Sequence, residues 1–170
     1  MKTILLAAIT ANGLIAVDQH HPATWTSKAD KQFFVQKTKA AGVMIMGRTT
    51  FATIGRPLPD RLTIVLTKNP NEHESIPNSV EYTSQTPNEI IQQLAARGFN
   101  EVIIAGGASI YTQFLKEDLV DEIYLTVEPY LFGSGINLLS ESALHQPLKL
   151  EESSKLSDNV ILLHYRINHE

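Results

Sequence analysis

Apolar positions along the chain fall in short blocks separated by amphipathic stretches. Residues 4–9 form an almost unbroken apolar run of strand length, as expected for a strand covered on both faces. Ser27 precedes KADKQFFVQKTKAAG, in which Ala29, Phe33 or Phe34 and residues 37–41 fall at helical spacing, and Gly42 closes the segment as a C-cap would. VMIM predicts a second buried strand, TTFATI a short helix, and LTIVLT a third strand after Pro57, Pro59 and Arg61. SVEYT predicts a short strand. Thr86-Pro87-Asn88-Glu89 opens a helix that ends near Arg97-Gly98, with a capping residue and Pro in the expected order. EVIIAGG is a further buried strand leading through Gly106-Gly107 into the helix ASIYTQFLK. The pattern then changes: DEIYLTVEPYLF and VILLHYRIN are long strands joined through Gly- and Ser-containing turns and PLKLEESSKL. Alternating strands and helices followed by a closing antiparallel pair predict a three-layer α/β/α sandwich around a mostly parallel central sheet.

The 170 residues suit a single domain, with 43% hydrophobic and 19% charged residues. The net charge is −4, so the chain carries no general attraction for nucleic acid or an anionic membrane, and any anion site must be local. The absence of Cys fits a cytoplasmic location and excludes thiolate metal sites. The start, MKTILLAAITANGLIA, has the look of a short signal core, but Asn12-Gly13 ends it in turn chemistry and a buried strand is the better reading.

Local anion chemistry is concentrated at strand ends. Gly106-Gly107 opens a helix, where backbone N–H groups and the helix dipole favour an anion, although a strand-to-helix turn also calls for glycine on steric grounds alone. The segment is not the G-x-G-x-x-G of a dinucleotide-binding Rossmann unit. Arg48-Thr49-Thr50 and Thr67-Lys68 follow two other strands. Three strand ends on one side of a parallel sheet, each with donors or positive charge, suit an extended ligand with several phosphates. Adjacent His20 and His21 cannot easily converge on one ion, and with His73 they leave no ligand set of supporting spacing, so no metal is expected.

MGRTTFATIGRPLPDR, Met46 to Arg61, resembles the dihydrofolate reductase motif in which a strand ends in M-G-R-x-T and continues into S-I-G-R-P-L-P-x-R. LLAAITANGLIA looks like that family's first strand and the start of its mobile loop, IIAGGASIY like its strand with a Gly-Gly pair, and DEIYLTVE like the strand carrying a pterin-contacting threonine. The resemblance covers the chain to about Glu128 and implies the same sandwich, NADPH as cofactor and dihydrofolate as the small-molecule substrate.

Position by position, the resemblance implies that Asp30, five residues after Trp25, grips the pterin edge through paired hydrogen bonds. Taken alone, an Asp there would also serve a helix dipole. Thr126 is implied to bond the same carboxylate and the pterin, and Trp25 to order water and close the loop. Leu6, Ala7, Phe34, Ile54, Ala105 and Tyr111 are implied to surround the substrate, and Arg61 to bind the α-carboxylate of its glutamate. The cofactor is implied to lie against Ala8, Ile15, Ala16, Gly47, Arg48, Thr49, Thr50, Thr67, Lys68, Gly106, Gly107, Ala108, Ser109 and Ile110. Gly106-Gly107 is implied to be a cis peptide. Arg48 and Lys68 favour NADPH over NADH, because the 2′-phosphate needs charge neutralisation. Arg56 is expected to hold the connection between the two ligand sites.

HHPATWTSKAD departs from the family's L-P-W-x-L-P-x-D, with both Leu-Pro pairs missing, and Lys31 stands at a position that is usually apolar. VEPYLFGSGINLL and W-T-S-x-x-D resemble the reductase domain of riboflavin synthesis more closely. A pyrimidine reductase of that pathway is therefore the alternative, with Lys28 and Lys31 offering charge to a ribose phosphate. A nucleotide-binding module without catalysis is a third class, disfavoured by Asp30 and the arginine set. A monomer or a homodimer formed through the C-terminal strands is expected.

Overall fold

The computed structural model describes residues 1–141 and 143–169. Its elements run β1 (Lys2–Thr10), β2 (Leu14–Ala16), α1 (Lys28–Ala41), β3 (Val43–Gly47), α2 (Arg48–Ile54), β4 (Leu62–Leu66) and β5 (Val80–Thr83). There follow α3 (Pro87–Ala96), β6 (Glu101–Ile104), α4 (Ala108–Lys116), β7 (Glu122–Glu128), β8 (Ile136–Asn137), β9 (Leu148–Ser157) and β10 (Val160–Ile167). Single 3₁₀ turns occupy Ala23–Trp25 and Pro70–Glu72.

The main sheet has eight strands in the order β5-β4-β3-β6-β1-β7-β10-β9. The six from β5 to β7 are parallel, and β10 and β9 close the far edge antiparallel. Alternation along β1 explains the layers: Leu5 and Ala7 point into a core built with α3 and α4, while Ile4 and Leu6 point into a second core with Phe33 and Phe34 of α1 and Phe51 and Ile54 of α2. Both faces of the sheet are thus covered, which is why its strands read as continuous apolar runs.

The expected helix ends are present. Ser27 caps α1 by accepting from the Asp30 amide, and Thr86 and Glu89 form a reciprocal capping box at α3.

Two expectations change. β7 stops at Glu128 instead of running through PYLF, because Pro129 has no N–H to continue the ladder. PLKLEESSKL is not a connection: it lies largely within β9, a ten-residue edge strand hydrogen-bonded to β10. Its pattern hid it, since nearly every residue is exposed, Leu148 and Leu150 included. A small antiparallel pair, β2 with β8, was also not foreseen. Here Gly135 approaches so closely that a Cβ would overlap the Ala16 carbonyl oxygen, so only glycine allows the contact.

Phe114 of α4 has no exposed surface and fills the core beneath β1 and β6. Phe114→Ala is expected to lower unfolding free energy by about 3–5 kcal/mol through lost transfer energy and a residual cavity, measured by urea denaturation.

Candidate active site

The carboxyl ends of β1, β3, β4, β5 and β6 open on one edge of the sheet, above which lies a cleft of about 1480 Å³. At one end it is lined by Trp25, Asp30, Phe34, Ile54 and Leu58, and at the other by Thr67, Lys68, His73 and Gln85. Ala7, Ala8, Ile15, Ala16, Gly47 and residues 105–111 form the middle.

Asp30 stands in the first turn of α1, where Ser27 receives its amide at 3.1 Å. Burial pushes its carboxyl above the ordinary range, and the negative charge of Glu128 pushes the same way; the hydroxyls of Thr26 and Thr126 and the charge of Lys31 oppose the shift. Thr126 is fully buried on β7, and its hydroxyl has no hydrogen-bond partner of good geometry among the described residues, so its help reaches Asp30 as a nearby dipole. Tyr111 is buried behind this end and donates to the Leu6 carbonyl at 2.8 Å. Burial, reinforced by Asp30, pushes its phenol well up, so it stays a neutral donor.

Gly106 and Gly107 are joined by a cis peptide, and Gly106 has φ +106°, a conformation that favours glycine. The three glycines at this turn leave no room for side chains. A Cβ would meet Tyr111 Oη at 3.0 Å from Gly106, Thr50 Oγ1 at 3.2 Å from Gly107, and Ile110 Cγ1 at 3.2 Å from Gly47. The Gly47 amide donates to Gly106 O at 2.8 Å, fastening the two strand ends together. Arg48 and Lys68 line the cleft nearby and form no ion pair among the described residues.

The loop over the cleft is pinned from the C-terminal side. Trp25 packs edge-on against Tyr130 and Phe132, at centroid distances of 6.0 and 5.2 Å, and stacks near His21. The Asn12 amide donates to Phe132 O at 2.7 Å. Ser27 donates through both N–H and hydroxyl to Glu128 Oε1, at 2.9 and 2.8 Å.

Of the residues implied for the dihydrofolate and NADPH sites, all but Thr126 and Arg61 line this cleft. Arg61 is 6% exposed, with Nε donating to Pro59 O at 3.0 Å and Nη1 to the Thr38 hydroxyl, in a smaller depression that shares Leu58 with the cleft. Its burial pushes the guanidinium pKa downward. Arg56 does not hold the connection between the sites, because it is exposed and makes no hydrogen bond or ion pair among the described residues. Lys28 lies outside the cleft, and the Lys31 ammonium is engaged by the carbonyls of Thr24 and Thr26, at 3.0 and 2.8 Å. Sequence reasoning missed Thr53, Leu58, Thr83 and Gln85 in the lining, and Glu128 behind it. Thr83 ends a parallel strand beside β4, so the strand-end argument that found Thr67 applies to it equally.

Residues 2–129 match the sequence model of the dihydrofolate reductase family. Dihydrofolate reductase of Haemophilus influenzae is 37% identical over 126 residues, covering 74% of this chain and 71% of that one. The uncharacterised protein YwjB of Bacillus subtilis is 26% identical over 172 residues, covering 96% and 97%. Among solved structures, dihydrofolate reductase of Enterococcus faecalis in complex with NADP(H) superposes with a TM-score of 0.76 at 24% identity, covering 99% of this chain and 97% of that one. A Thermotoga maritima diaminohydroxyphosphoribosylaminopyrimidine deaminase/reductase superposes at 0.81 and 18% identity, covering 98% and 56%, a likeness of fold. No described helix is long and apolar enough to cross a membrane. With three quarters of its length matching in register, the chain belongs to the dihydrofolate reductase family of NADPH-dependent oxidoreductases.

Proposed function

We propose that the protein reduces 7,8-dihydrofolate to tetrahydrofolate with NADPH. The observation that carries this reading is the polarity of the cleft: a half-buried carboxylate among Trp25, Phe34, Ile54 and Leu58 at one end, and at the other the cations Arg48 and Lys68, unpaired among the described residues. The glycine-lined turn and these two cations fit an extended dinucleotide, whose backbone must approach closely and whose phosphates need charge. Gly47, Arg48, Thr49, Thr50, Thr67, Lys68 and residues 106–110 hold it in this reading. NADPH supplies the hydride when bound.

The chain's share of the reaction is orientation and proton control. Two carboxylate oxygens of Asp30 match a planar pair of N–H donors, so the pterin is held by its amidine-like edge with Phe34 against the ring. The unpartnered Thr126 hydroxyl supplies a further polar contact at the same place. Because burial raises its pKa, Asp30 retains a proton at higher pH than an exposed carboxyl and promotes protonation at N5, relayed through water. A glutamate tail leaving the cleft over Leu58 meets Arg61, whose remaining η-nitrogen has no protein partner among the described residues.

The pyrimidine reductase alternative rests on the fold likeness and on the Gly135 contact in the segment that resembles that branch. It is not the better reading, because the lysines meant for a ribose phosphate are outside the cleft or already engaged.

In an assay of NADPH oxidation, wild type is expected to turn over dihydrofolate and not the aminopyrimidine ribosylphosphate; the reverse overturns the proposal. Asp30→Asn is expected to lower kcat by about 10²–10⁴-fold while the NADPH Kd, read by fluorescence titration, stays unchanged. Equal losses in both would remove Asp30 from the substrate site. Replacing Lys68 with Ala should weaken NADPH binding by about 10–100-fold, the scale of a lost charged hydrogen bond, and leave NADH binding as it was. Asp30 also carries a stability signature. Its folded pKa is raised, so its favourable contribution is present below the unfolded carboxyl pKa of about 4 and is lost as pH rises through the folded value. Asp30→Asn should therefore melt at or above the wild-type Tm at pH 7, with that advantage vanishing in acid, measured by thermal scans across pH.

A further inference from the structure

Glu128, the last residue of β7, is 1% exposed, yet it forms no ion pair among the described residues. A carboxylate taken from water without a cation is costly, and an apolar residue would ordinarily suit such a position better. What it does have is Ser27. Both donors of that residue converge on Oε1, while Oε2 is buried with no partner among the described residues.

The geometry around Ser27 is specific. Its hydroxyl has one proton, and giving it to Glu128 leaves the oxygen's lone pairs for the Asp30 amide, which it receives at 3.1 Å. Glu128 thereby sets the rotor of the helix cap, and the cap sets the first turn of α1, on which Asp30 stands. Glu128 and Thr126 are two apart on β7, so their side chains share a face, the one that meets Asp30.

We propose that Glu128 is a positioning residue of the reductase site: acting through Ser27, it fixes Asp30 over Thr126 and places a second negative charge behind the Asp30 carboxylate that faces the substrate. This rests on the reading of Asp30 given above. The other groups facing Asp30 are Lys31 from its own helix, Tyr111 from α4, and the hydroxyls of Thr26 and Thr126. Of these charged or titratable neighbours only Glu128 adds negative charge at neutral pH, so its removal has a defined sign: the Asp30 carboxyl becomes easier to ionise.

The test uses the full chain without ligands, with carboxyl ¹³C resonances followed by NMR across pH. The wild-type Asp30 midpoint is expected above the ordinary carboxyl range. Glu128→Gln keeps an acceptor for Ser27 and loses the charge, so the Asp30 midpoint should move to lower pH, and with it the limb of the kcat profile that falls as pH rises. Glu128→Leu loses the tie as well, and kcat/KM for dihydrofolate should fall by about 10²-fold, with Glu128→Gln recovering most of the loss. An Asp30 midpoint unmoved in folded Glu128→Gln overturns the proposal. If that variant does not fold, an Asp30 midpoint unmoved in Ser27→Ala, which cuts the hydroxyl link between Glu128 and the Asp30 amide, overturns it instead. Failure of wild type to oxidise NADPH with dihydrofolate would count against the substrate reading alone, since the titrations need no substrate.

Discussion

β1 can be buried on both faces only because each of its edges is hydrogen-bonded, to β6 on one side and β7 on the other, both parallel to it. Parallel pairing forces each return crossover through a helix or long loop, and it sends the carboxyl ends of neighbouring strands to the same edge. The cleft is a consequence of that arrangement. Gly47, Leu66, Thr83 and Ala105 line it because each ends or directly follows a strand of one parallel set. Helix α1 enters from the side of β7, tied there by Ser27 and Glu128, and brings Asp30 to the same edge.

The site gathers titratable and polar groups with unmet hydrogen-bonding capacity. The Asp30 pKa is raised by burial, Thr126 and Glu128 each keep a buried oxygen without a partner among the described residues, and Tyr111 is kept neutral. These are features that a fold selected for stability alone would remove, because an unmet buried polar atom costs about 1–3 kcal/mol. On the proposed reading the substrate supplies the missing partner of Thr126, while Glu128 acts from behind through Ser27. The cofactor end follows a different logic. On the proposed reading its selectivity lies in exposed cations and in the absence of Cβ atoms at Gly47, Gly106 and Gly107, so binding there asks little of the core.

Most of this was legible because it is local. A continuous apolar run such as residues 4–9 specifies a doubly covered strand, and Ser27 or Thr86 before a periodic stretch specifies a helix start. The strand-end residues of the cleft followed from the family motifs and from parallel-sheet geometry. What escaped was set by contacts distant in sequence. β9 has almost no buried face, so its pattern carries no period to read. Glu128 lies 101 residues from Ser27, and nothing in LTVE distinguishes a buried anchor from a solvated strand end. Lys31 looked available to a substrate because its engagement by Thr24 and Thr26 depends on the path of a loop that lacks the family's prolines.

That loop connects the two ends of the chain. Residues 130–137 lie beyond the stretch that matches the family, yet they supply the partners that hold it: Tyr130 and Phe132 around Trp25, Phe132 O for Asn12, and β8 for β2. Gly135 makes the last of these possible by leaving space against Ala16, itself a residue of the cleft. A ligand over Ala16 and Trp25 therefore senses the C-terminal segment through a backbone contact and an aromatic cluster. Contacts from residues 130–137 thus reach the cleft without passing through any residue of the Met46–Arg61 motif.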